Sequence, residues 1–76
     1  MEFKQYDTVR VLDILIPEKL KKSEFDLCAP KIGDIAAIVE IYTNPTLAYE
    51  LECSDQDGIT QWLIAFGPEE IVMELV

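Results

Sequence analysis

The sequence predicts a small, mostly β domain of five strands. Three features carry that expectation: short runs of alternating or β-branched residues, turn residues between them, and no apolar spacing suited to a long helix. The chain has 76 residues, so we read residues 1–76 as one domain. At this size a single core barely offsets chain entropy. Half the residues are hydrophobic, and three Gly and four Pro are too few for a low-complexity chain, so a packed core is expected.

The first strand is predicted over Tyr6 to Ile16, YDTVRVLDILI, with Val9 and Val11 on one face and Thr8 and Arg10 on the other. Pro17 ends it. The following PEKLKKSEFDLCAPK holds Lys19, Lys21, Lys22 and Lys31, four of the six basic side chains. Its leucines are badly spaced for a long amphipathic helix, but Glu18 to Glu24 could make about two helical turns behind a proline at the first position. We therefore expect a long, partly helical loop after the first strand.

Gly33 supplies backbone freedom for a turn into IAAIVEIY. Simple alternation puts Ile35, Ala37, Val39 and Ile41 on the core face, and Ala36, Ile38, Glu40 and Tyr42 on the other. TNPTL reads as a hairpin loop, and AYELEC returns with Tyr49, Leu51 and Cys53 inward and Glu50 and Glu52 outward. That loop sets Tyr42 opposite Ala48, Ile41 opposite Tyr49, Glu40 opposite Glu50 and Val39 opposite Leu51. SDQDG ends in Asp-Gly, a strong hairpin signal, before ITQWLIAF, where the alternation of Trp62 with Ile64 and Phe66 favours the core over an outward aromatic platform with Tyr42, and both readings stay open. GPEE reads as one helical turn, and IVMELV as a last strand with Ile71, Met73 and Leu75 inward. Five strands with a helical turn before the fifth fit a small SH3-like barrel.

Charge is the dominant surface property. Fifteen acids face six bases, a formal net of −9, with no histidine. Nucleic-acid affinity comes largely from Lys and Arg displacing counterions, so direct binding to DNA or RNA is disfavoured. A surface of this sign attracts basic partners, and it also serves plain solubility. The predicted register places Glu40 opposite Glu50, with Glu52 beside them. Like charges directly across a sheet cost up to about 1 kcal/mol, which folding does not ask for. Glu40, Glu50 and Glu52, with Tyr42 on the same face, are the candidate partner-binding residues, since an aromatic and acids together suit an Arg-rich surface.

Other chemistries are poorly served. Without histidine the usual general base and zinc ligand are missing, and Cys28 and Cys53 cannot build a thiolate cage, so neither a metal nor another cofactor is expected. Asp55 and Asp57 lack the glutamate that closes an EF-hand loop. No Gly-rich phosphate loop and no activated nucleophile is recognisable, and the chain reads as a non-enzyme. Two lone thiols fit a reducing compartment. With no apolar run near the roughly 18 residues of a membrane span and no signal-peptide pattern at MEFKQYD, a cytoplasmic location is expected.

YDTVRVLDIL, GDIAAIVEIY and GPEEI together resemble a family of small bacterial chains, frequent in cyanobacteria and catalogued as a domain of unknown function. Its members run YD-x-V-x-L-L, then G-x-x-G-T-V-V-E-V-Y, then K-P-x-x-L. The resemblance covers nearly the whole chain except Pro17 to Lys31, which is longer here. Ala36 stands where the family usually has a second Gly, removing the glycine a bulge there would use. The resemblance implies an SH3-like fold with no assigned activity. Because some members are encoded beside toxins, it also implies an antitoxin or immunity role, the partner being a basic toxin. The middle motif further resembles the RNA-contacting turn of KOW-type barrels; those use basic loops, whereas Asp34 and Glu40 stand here, so only the shape transfers. Two alternatives stay open: an accessory subunit of a larger assembly held by apolar edge strands, and a KOW-like nucleic-acid binder using the lysine-rich loop.

Overall fold

The computed structural model describes residues 3–76. Five antiparallel strands, β1 (Thr8–Ile14), β2 (Ile35–Tyr42), β3 (Ala48–Ser54), β4 (Thr60–Phe66) and β5 (Ile71–Leu75), form one sheet in the order β4-β3-β2-β1-β5. The ladder is open, since β4 and β5 stand at its two ends. Even so, side chains from all five strands meet in one core, so the sheet coils around them. Val9, Val11, Ile38, Leu51, Trp62 and Phe66 are its fully buried members. Trp62 meets Phe66 edge to face at 6.4 Å, an arrangement that favours the ring quadrupoles.

Three register shifts shape the sheet: one lies at Gln61 in β4, where Cys53 pairs with Trp62 and Ser54 with Thr60, and two β-bulges lie in β2 and β1. In β2, Ile41 pairs with Tyr49 and Ile38 with Leu51, so Val39 and Glu40 together oppose Glu50. In β1, Val11 pairs with Met73 and Ile14 with Ile71, so Leu12 and Asp13 together stand against Val72. Each bulge ends in an acid whose carboxylate accepts the next backbone amide, Ile14 N–H to Asp13 at 2.8 Å and Ile41 N–H to Glu40 at 3.1 Å. An extra residue inverts which side chains face inward. That inversion corrects the expected faces of β2. Ala36 and Ile38 are buried, Ile35 is exposed, and Leu51 faces Ile38 rather than Val39. In β5, Ile71 is buried and Met73 packs on the core, whereas Leu75 lies exposed.

The connection from β1 to β2 contains only a single 3-10 turn, Pro17–Leu20. The expected two-turn helix does not form. Instead the loop is tied along the outer edge of β4. Leu27 and Cys28 donate their amides to Gln61 O (2.9 and 3.2 Å), Asp26 accepts the Leu63 amide at 3.2 Å, and Lys19 Nζ donates to Ala65 O at 2.7 Å. These contacts cover the side of β4 that has no strand beside it and bond three of its outward groups, Gln61 O, the Leu63 amide and Ala65 O. Residues 68–70 likewise make a turn, closed by Glu70 N–H to Gly67 O at 3.0 Å, where one turn of helix was expected. Among the described residues no helix is long and apolar enough to cross a membrane.

Candidate functional site

The β2–β3 hairpin carries the candidate face. Its register is Tyr42 with Ala48, Ile41 with Tyr49 and Glu40 with Glu50, as the loop length predicts. Tyr49 and Leu51 are buried, so the alternating Glu50 and Glu52 point to the opposite, outer side. Glu40 and Glu50 are therefore directly opposed, and Glu52 sits two residues along on the same face, roughly 7 Å away by strand geometry. Tyr42 joins them through its hydroxyl, which donates to Glu50 Oε1 at 2.6 Å. All four predicted residues thus share one surface.

Every carboxylate in this group is held by a neutral donor: Glu40 by the Ile41 amide, Glu50 by the Tyr42 hydroxyl and Glu52 by the Thr60 hydroxyl. Among the described residues none of the three is in an ion pair. The ion pairs among the described residues are Arg10–Glu74 and Lys19–Glu70, both at 2.7 Å. The bond to Glu50 raises the Tyr42 pKa above the usual phenol value, with burial and the charges of Glu50 and Glu40 acting in the same direction.

Apolar side chains flank Glu50 and Glu52 on the neighbouring strands. Glu52 pairs with Ala37 on one side and Leu63 on the other, while Glu50 has Ala65 across β4. Beside Glu52 a shallow hollow of about 250 Å³ is lined by Thr8, Ile35, Ala36, Ala37, Glu52 and Ser54. Ile35 and Ala37 were expected in the core, so this part of the surface is missing from the sequence reading. Ala36 sits in the core and Ala37 is half-buried, and these two short side chains floor the depression.

No protein-family model matches the sequence, and no curated protein or solved structure matches it.

Proposed function

We propose that this chain is a non-enzymatic binding module whose acidic outer face, Glu40, Glu50 and Glu52 with Tyr42, docks on a basic protein surface. The observation that carries the reading is the Glu40–Glu50 pair: two carboxylates directly opposed across the hairpin, neither in an ion pair with a cation of the described residues. A partner's arginine relieves that repulsion, because its guanidinium matches carboxylate geometry and its stem packs on apolar surface. The hollow beside Glu52 offers apolar walls next to a carboxylate. An SH3-like barrel accords with the strand order, with β5 beside β1 and a turn leading into β5. A basic toxin neutralised by this face, in an antitoxin or immunity role, is the partner that the family resemblance favours.

The test has two steps. Affinity purification from the native host, looking first for the product of the neighbouring gene, supplies the partner; its affinity is then compared for the native chain and Glu40→Gln with Glu50→Gln. The double variant should bind about tenfold more weakly, with a flatter dependence on salt. Equal affinity and an unchanged salt slope would refute the assignment of this face.

A further inference from the structure

The two edges of the sheet are treated differently. On β4 three outward groups, Gln61 O, the Leu63 amide and Ala65 O, are occupied by Leu27 and Cys28, by Asp26 and by Lys19. On β5, the Val76 amide donates to Thr8 O and Glu70 O accepts from Leu15, so the even-numbered positions face β1. The amides and carbonyls of Ile71, Met73 and Leu75 therefore point away from it. Among the described residues no hydrogen bond reaches them from that side. An unpaired strand edge is a template for another strand, and folded proteins commonly block it, as this one does at β4.

Beside this bare edge lies an apolar groove of about 320 Å³, lined by Phe3, Tyr49, Pro68, Ile71, Val72 and Met73. Three of its walls, Ile71, Val72 and Met73, belong to β5 and none to β1. Phe3 stands edge to face on Tyr49, with ring centres 5.7 Å apart, and fixes one wall. Glu69, exposed and next in sequence to the groove residue Pro68, is in no ion pair among the described residues, and the chain as a whole carries a net of −9.

We infer that β5 is a second binding site, which accepts an extended segment of a partner protein in which apolar and basic residues alternate. The segment's backbone pairs with Ile71, Met73 and Leu75, its apolar side chains enter the groove, and its cations meet the field of Glu69 and of the chain's net negative charge. Charge decides against a second copy of this chain as the occupant, since that copy brings the same large negative charge to the contact. This site is separate from the outer face of β2 and β3 and stands or falls without it.

The test uses the isotope-labelled full chain and a short synthetic peptide alternating lysine and valine. A peptide of equal charge with serine in place of valine is the control. Binding of the first peptide should slow amide exchange of Ile71, Met73 and Leu75 at least tenfold, and the serine peptide should not. Leu75→Pro removes an outward amide that the β1 ladder does not use, and Phe3→Ala removes a groove wall. Each should weaken binding at least fivefold with the native spectrum kept, whereas Glu40→Gln with Glu50→Gln leaves the protection of β5 in place. Three results would overturn the inference: no slowing at those amides, equal effects of the two peptides, or concentration-dependent pairing of β5 with itself in the free protein.

Discussion

The indole nitrogen of Trp62 lies 2.9 Å from Asp34 Oδ2, and the same oxygen accepts the Lys31 amide at 2.9 Å. One carboxylate thus closes the turn before β2 and satisfies the polar atom of the largest side chain in the core. The chain between them is clamped as well: Gly33, at φ +96°, donates to Val11 O, and Val11 donates to Asp34 O. A side chain with a Cβ is strained at that φ, which explains the glycine. Asp34→Ala leaves the indole N–H without its acceptor and should cost about 1–3 kcal/mol in urea unfolding. Asp34→Asn, which keeps a carbonyl acceptor, should lose less; equal losses would show that the charge, not the acceptor, matters.

Glu40 opposes Glu50 at the bulge. Removing one charge while keeping an acceptor for the Ile41 amide should relieve the repulsion. Glu40→Gln is expected to stabilise the fold by about 0.3–1 kcal/mol, the range for like charges opposed across a sheet. Thermal or urea unfolding at low salt reads this directly, and the gain should shrink as salt rises. A loss of stability would mean that the carboxylate is held by attraction rather than tolerated.

Glu70 is held by Lys19 Nζ at 2.7 Å and by the Gly67 amide at 2.8 Å, with Lys19 also lying 5.4 Å from the centre of the Phe66 ring. The Lys19 bond first, and then the Gly67 amide, pull the Glu70 pKa below the ordinary glutamate value. A depressed folded-state pKa means that the contribution is present above the unfolded value and lost as pH falls through the folded one. Glu70→Gln should therefore narrow the stability gap between neutral and acidic pH relative to the native chain. Parallel stability curves for the two would rule out this linkage.

Asp26 is the buried acid of the long loop, accepting from Ser23 Oγ at 3.1 Å as well as from the Leu63 amide on β4. Asp26→Ala leaves that amide without its partner on the outer edge. We expect a stability loss of about 1–3 kcal/mol and faster hydrogen exchange at Leu63, with a new tendency to associate at high concentration. An unchanged exchange rate at Leu63 would show that the loop does not protect this edge.

Much of the fold was legible because local rules agreed. Val9 and Val11 alternate with polar residues, and TNPTL has a length that fixes the hairpin register, so the Glu40–Glu50 pairing followed from counting. Trp62 was placed inside by its alternation with Phe66, although its acceptor, Asp34, lies too far along the chain to be inferred. The inner face of β2 was not legible. In IAAIV both alternating sets are apolar, so periodicity cannot choose between them, and the bulge at Val39 and Glu40 leaves no residue signature that would decide. The loop misled for a different reason: its order comes from Asp26, Leu27 and Cys28 meeting β4, contacts that only the folded chain creates.

Sealing β4 also limits growth. Stacking of strands becomes endless only when each newcomer presents a fresh adhesive margin to the next. Here Asp26 and its neighbours remove one margin of every molecule, so whatever joins at β5 is the last addition that this chain can template. The arithmetic of assembly is then a single step, ending in a discrete complex and not a fibre.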